Sequence, residues 1–258
     1  MSQATLLLPE PARFGGQRLR EPAGKILGKA DRLRHEGDVA RSAFDILPRG
    51  WPVAAVTRQR DAGDAGADKA TWLRADPAYV RPDINGARLL AWGEALQLSD
   101  EDASAFLPAL RPLFGDAGFP IDAPCPSRWY LRLPPGKRLP VFSSPDDALG
   151  ADLFEHMPGA ENDDSPDARR WRTLLSEAQV TLHNHPRNAV RTAAGLAPVN
   201  SLWLWGAGAL PDRVSTKFTR IASDDDALTA FASFAGAQAQ ALPDRWSGSW
   251  ARALRFST

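Results

Sequence analysis

The sequence predicts a mixed α/β or α+β fold, one compact unit over residues 1–258 or two intimately packed lobes, with a smaller α+β lobe inserted at about residues 70–135. Three observations carry this. Short apolar runs closed by Pro or Gly, the mark of buried strands, alternate with stretches whose apolar residues recur at helical spacing. Within residues 70–135 the order is strands, one helix, then strands, which is that of an α+β unit. The 258-residue chain is 43% hydrophobic and 24% charged, ordinary globular usage, and it is long enough to bury most of its unfolded surface.

The elements follow in order. Thr5–Leu8 is an apolar run stopped by Pro9, a buried strand entering a loop. Pro22–Leu47 reads as mainly helical, with Ile26, Leu27, Ala30 and Leu33 on one face. Arg58–Lys69 is polar and reads as an exposed loop. Thr71–Arg74 is a strand, and Asp76-Pro77 is expected to turn the chain. Tyr79-Val80 then runs to Asn85-Gly86, a hairpin signature, with Arg88–Trp92 as the return strand. Ser99 precedes Asp100, Glu101 and Asp102, so it is an N-cap with acids in the first turn. Ala105, Phe106, Leu110 and Leu113 carry that helix, which Gly115 is expected to end. Phe119–Ile121 and Arg128–Leu133 follow as strands; Trp129 and Leu131 face one side, Tyr130 and Arg132 the other.

Pro134–Asp167 reads as loop with a short helical turn at Ser144–Leu149. Ser165-Pro166 opens the longest helix, since Pro suits the first helical position. Its stripe is Trp171, Leu174, Leu175, Ala178 and Leu182. Pro186 disfavours helical geometry at His185 and so stops or kinks it. Asn188–Ala194 forms another turn or two, closed by Gly195. Ser201–Trp205 is an apolar strand, with Trp203 and Trp205 on the same side. Ser223 is expected to cap a last helix reaching Ala241.

Composition narrows the function. Lys+Arg and Asp+Glu are both 31, so the net charge is zero, which argues against a nucleic-acid or membrane-surface protein acting by bulk charge. The single cysteine, Cys125, has no internal partner, which fits a reducing cytoplasm and excludes a cysteine metal cluster. Four histidines leave little for a multi-histidine metal centre. Met1–Pro11 lacks a basic start and a long apolar run, so no signal peptide is expected, and no apolar window suits a membrane helix. The prevalence of Arg over Lys and the many alanines point to a GC-rich bacterial genome.

The densest chemistry lies at residues 182–208. His183, His185, Arg187, Asn188 and Arg191 crowd a helix end, Asn200 precedes the apolar strand, and Gly206 and Gly208 follow it. Guanidinium and amide donors grip a carboxylate or phosphate, and glycines after a strand let backbone N–H groups approach an anion. The competing reading is that Asn and His beside a proline satisfy backbone groups left open by the break. Both readings stand at this point. His183 and His185 would diverge on a continuous helix, so no metal site is assigned to them. No Gly-x-Ser-x-Gly or Walker A sequence occurs, and no catalytic residue is assigned.

Residues 183–191, Gly195–Asn200 and Trp203–Gly208, together with Trp72–Pro77 and Arg128–Leu133, resemble the RpfE-type bacterial regulatory proteins. The later blocks also resemble a stretch of the archaeal-type cofactor-independent phosphoglycerate mutases, of the alkaline-phosphatase superfamily. That resemblance implies a remnant of the superfamily's sheet, and it carries over to His185, Pro186, Asn188, Arg191, Asn200, Trp203 and Gly206 as fold or substrate-side positions. The enzymes use two metal ions and a phosphate-accepting serine. Here Pro9 stands where their first metal-binding Asp would fall, and no histidine follows His185. The resemblance therefore implies a non-catalytic, cytoplasmic regulatory protein, a pseudoenzyme without a cofactor, that binds a small anionic ligand or a protein partner. A metal-dependent mutase or phosphatase-like enzyme is the alternative.

Overall fold

A computed structural model of the chain describes residues 40–64, 70–84, 86–159, 163 and 165–242, with positions 24, 25, 28, 29 and 31. The expected strand Thr5–Leu8 and most of the helix expected over Pro22–Leu47 lie outside these residues. In chain order the elements are β1 (Asp45–Leu47), α1 (Val53–Ala62), β2 (Thr71–Asp83), β3 (Gly86–Trp92), α2 (Asp100–Asp116), β4 (Ile121–Cys125), β5 (Arg128–Leu133), α3 (Pro145–Ala148), α4 (Pro166–His183), α5 (Arg187–Ala193), β6 (Ser201–Ala209), β7 (Arg213–Ser215), β8 (Arg220–Ala222), α6 (Asp226–Phe234) and β9 (Gln238–Gln240). The fold is mixed α/β with several sheets. Among the described residues no helix is long and apolar enough to cross a membrane. The chain divides into two units, Gly50–Pro211 and Met1–Arg49 with Asp212–Thr258.

The larger unit is organised by β2. This 13-residue strand pairs antiparallel with β6 over Thr71–Ala78 on one edge. Its other edge pairs first with β5 over Thr71–Arg74 and then with β3 over Ala78–Asp83; β4 completes the sheet beside β5. Strand β6 therefore shares a sheet with the strands of residues 70–135. The chain does not turn at Asp76-Pro77. Here β2 changes partner from β5 to β3, which leaves room for a residue without an N–H. The hairpin between β2 and β3 forms as expected, with Asp83 opposite Gly86.

The two faces of the sheet differ. On one, Leu73, Ala75, Trp129, Leu131, Leu133, Leu202 and Leu204 pack with Phe106, Leu110 and Phe114 of α2 and the Trp171–Leu182 stripe of α4. All five stripe residues of α4 are buried, and Trp171 stacks on Phe119 at 4.7 Å. Helix α2 starts with the expected cap: Ser99 accepts from the Asp102 N–H, and Asp102 accepts in return from the Ser99 N–H. It outruns Gly115, and Gly118, at φ +80°, takes the left-handed turn instead. The strand expected to start at Phe119 begins at Ile121, because the Phe119 N–H is spent on Phe114 O at the end of α2.

The opposite face is covered by α1, where a loop was expected from Arg58. Ala54 and Ala55 lie against Trp72 and Tyr130. The close approach depends on two glycines of β6: a Cβ on Gly208 would fall 2.4 Å from Pro52 Cβ, and one on Gly206 2.9 Å from Val53 Cβ. Gly206, at φ +66°, also carries a bulge, since two steps of β2 from Trp72 to Arg74 match three of β6 from Gly208 to Trp205. The strand expected to stop at Trp205 thus continues to Ala209.

In the second unit β1 pairs antiparallel with β7, where helix had been expected through Leu47. Strands β8 and β9 pair in parallel through the crossover helix α6. Asp225, not Ser223, caps α6 through the N–H groups of Ala227 and Leu228. The helix stops at Phe234, and Gly236 turns the chain into β9, so the helix expected to reach Ala241 is shorter.

Candidate functional site

Helix α4 ends at His183, and Pro186 starts α5. The corner between them collects most of the polar residues singled out in the sequence. Asn188, 8% exposed, acts as a clamp: its Nδ2 donates to Leu182 O and to Val199 O, both at 2.8 Å, and its Oδ1 accepts from the Val199 N–H at 2.8 Å. Asn200 Nδ2 donates to Val80 O and its Oδ1 accepts from the Val80 N–H, extending the β2–β6 ladder with a side chain.

Arg187 and Arg191 are four residues apart and so share a face of α5. Both reach the Asp102 carboxylate in the first turn of α2. Arg187 Nε donates to Oδ1 at 2.6 Å, and Arg191 Nη1 donates to Oδ2 at 2.5 Å. Arg191, 1% exposed, also donates to Ala197 O and Leu96 O. Arg187 reaches Glu101 at 3.3 Å. Burial pushes the Asp102 carboxyl up, but the hydrogen bonds from Arg187 and Ser99 and the charges of both arginines outweigh it and hold it below the usual carboxylate value.

His185 Nδ1 accepts from the Arg187 N–H, and its ring lies 4.7 Å from Phe106. His183 is exposed. Gly206 and Gly208 lie on the α1 side of the sheet, where they admit Pro52 and Val53.

A second buried polar cluster, under α1, draws on the Trp72–Pro77 and Arg128–Leu133 blocks, which the sequence does not mark as a site. Arg74 and Asp76 are 1% and 0% exposed and pair through Arg74 Nε to Oδ1 at 2.8 Å and Nη2 to Oδ2 at 2.7 Å. Trp205 Nε1 donates to the same Asp76 carboxylate. Cations and rings then alternate across the face. Arg58 lies over Trp72 and Tyr130, and Arg74 over Tyr130 and Trp205, at 4.7–5.6 Å. Tyr130 donates to Asp61 Oδ2 at 2.6 Å, and Arg128 pairs with the same carboxylate. Burial, opposed by Arg74 and helped by Asp61, holds the phenol far above its ordinary pKa, so it stays a donor. Burial raises Asp61, but hydrogen bonds from Arg128 and Tyr130 outweigh that and leave it below the usual range. Arg58 ties α1 to Asp122 at 2.6 Å and Asp64 at 3.0 Å. The signal was present: Trp72, Arg74 and Asp76 alternate with Leu73 and Ala75, so within this stretch one strand face carries both charges.

No family model matches the chain. Over a 71-residue stretch, 28% of its length, it is 38% identical to a Geobacter sulfurreducens protein named probable 2,3-bisphosphoglycerate-independent phosphoglycerate mutase. A mutase of that name from Methanothrix thermoacetophila is 34% identical over 71 residues. The chain spans 16% and 17% of these relatives, about a sixth of their length. Among solved structures, a cofactor-independent phosphoglycerate mutase from Thermoplasma acidophilum matches 75% of this chain and 52% of its own, at 17% identity and a TM-score of 0.43. The chain thus carries a segment distantly similar to these mutases.

Two-metal phosphoryl transfer needs a converging set of oxygen and nitrogen ligands. Among the described residues no three His, Cys, Asp or Glu side chains come together as a metal centre requires. Those residues do not fit such a centre.

Proposed function

We propose that this is a non-catalytic, cytoplasmic regulatory protein of the RpfE type, carrying a mutase-like segment and acting through a small anionic ligand or a protein partner. The observation that supports it is the use of polar groups in residues 183–208. In that block Asn188, Arg191 and Asn200 point their donors and acceptors at the chain's own carbonyls, amides and Asp102. Groups so engaged brace a fold and are not free for a reacting phosphoryl group. Among the candidate residues His183, His185 and Arg187 reach solvent and would meet a ligand first, while Gly206 and Gly208 serve the packing of α1.

The second reading, a metal-dependent mutase or phosphatase-like enzyme, draws on the 71-residue similarity. Metal content separates the two. The full chain, incubated with Mn and then freed of loose ions, is expected to retain well under one equivalent. Two tightly held equivalents of Mn or Zn per chain would overturn the non-catalytic reading.

A further inference from the structure

We propose that Arg187 and Arg191 form a binding site for a small carboxylate, and that the chain keeps this site filled with its own Asp102. Three donors converge on that carboxylate: Arg187 Nε on Oδ1, and Arg191 Nη1 and the Ser99 N–H on Oδ2. Two guanidiniums and a backbone amide around one carboxylate are the set that recognises a free oxyanion. The site is built independently of its occupant. Arg191 is 1% exposed, and its two other donor nitrogens are fixed by Ala197 O and Leu96 O, so it cannot follow a departing anion into solvent. Arg187, whose side chain is 23% exposed against 4% for that of Asp102, is the member of the site nearest solvent. Glu101, on the rim 3.3 Å from Arg187, adds a negative charge that favours a singly charged carboxylate over a phosphate dianion.

The occupant is tethered. Asp102 competes at the high effective concentration of an intramolecular group, so a free anion binds the native chain weakly. Asp102 is also half of the α2 capping box, so a ligand that displaces it releases the first turn of α2. Ligand entry and the α2 cap therefore oppose each other, which makes Asp102 an autoinhibitory contact. The role assigned to the site rests on the ligand-binding reading above; its existence does not.

Asp102→Ala removes three heavy atoms, the carboxylate itself, and formate restores the same three. The native chain should show a melting temperature indifferent to formate. Asp102→Ala should melt lower and recover with added formate along a saturable curve; at ~100 times its Kd a ligand favours the folded state roughly 100-fold. Chloride at the same ionic strength should not substitute. Asp102→Asn, which keeps the site sterically full, should ignore formate, and Arg187→Gln placed in Asp102→Ala should abolish the response. If Asp102→Ala is unfolded in plain buffer, formate-dependent folding is the readout. Indifference of Asp102→Ala to formate, or an equal response of Asp102→Asn, would overturn the proposal. Either result leaves the non-catalytic reading intact, since metal content and turnover decide that separately.

Discussion

Asn188→Ala removes the clamp that joins the end of α4 to the start of β6. The wild-type side chain satisfies three groups, Leu182 O, Val199 O and the Val199 N–H, and both residues are buried at 0% exposure. An orphaned buried donor or acceptor costs about 1–3 kcal/mol. The three lie at one site and share whatever relaxation or water entry follows, so the total is about 3–4 kcal/mol rather than three full penalties. For a unit of this size ~1 kcal/mol moves the melting temperature by roughly 2–4 °C, so a fall of roughly 6–16 °C is expected. Differential scanning calorimetry on wild type and variant reads it directly. Asn188→Asp sharpens the test. It can still accept from Val199, but it turns an anion toward two carbonyls. The proton is held more tightly in the folded state, so this variant should gain stability as pH falls toward about 4, a range over which the wild-type carboxylates stay charged and add no slope. A melting temperature within ~2 °C of wild type for Asn188→Ala would refute the brace and leave the side chain available for a ligand.

Other perturbations have equally definite outcomes. Gly208→Ala should cost about 1–3 kcal/mol, since the new Cβ meets Pro52 at 2.4 Å; an unchanged urea midpoint would mean that α1 is not pinned there. Asp76→Ala strands the buried Arg74 charge and should cost about 3–5 kcal/mol in urea unfolding, and a loss below ~1 kcal/mol would show that water reaches the pair. Asp61 and Asp102 have depressed folded pKa values. Their stabilisation is complete above the ordinary value of about 4 and is lost as pH falls through the folded values. The urea midpoint should therefore drop from about pH 4 downward, less steeply in Asp61→Asn, and an equal slope in both would remove Asp61 from the explanation.

Local chemistry made much of the helical half of the fold legible. The capping box at Ser99, the Ser165-Pro166 start and the Trp171–Leu182 stripe each depend on residues within a turn or two of one another, and each holds. Where the reading failed, a distant partner had overridden residue type. Arg58 and Asp61 look like loop residues, yet Asp122, Arg128 and Tyr130 draw them under a helix. Pro77 looks like a turn, but β2 changes neighbours there. Ser223 looks like a cap, but its N–H pairs with Gln240 O, and Asp225 takes the role two residues later. The candidate site shows the same division. The polar residues at 183–200 do gather, and the four-residue spacing of Arg187 and Arg191 was visible. Their common partner Asp102 lies 85 and 89 residues away, and no local pattern points to it.

Turnover by the full chain tests the non-catalytic reading most directly. Phosphoryl transfer through a phospho-enzyme draws on cations to hold developing charge, and each ~1.4 kcal/mol of lost transition-state stabilisation is tenfold in rate. With 3-phosphoglycerate as substrate, excess Mn and a coupled readout of 2-phosphoglycerate, the rate should equal the protein-free background. A rate above background that requires Mn and vanishes on chelation would contradict the reading and make this chain an enzyme.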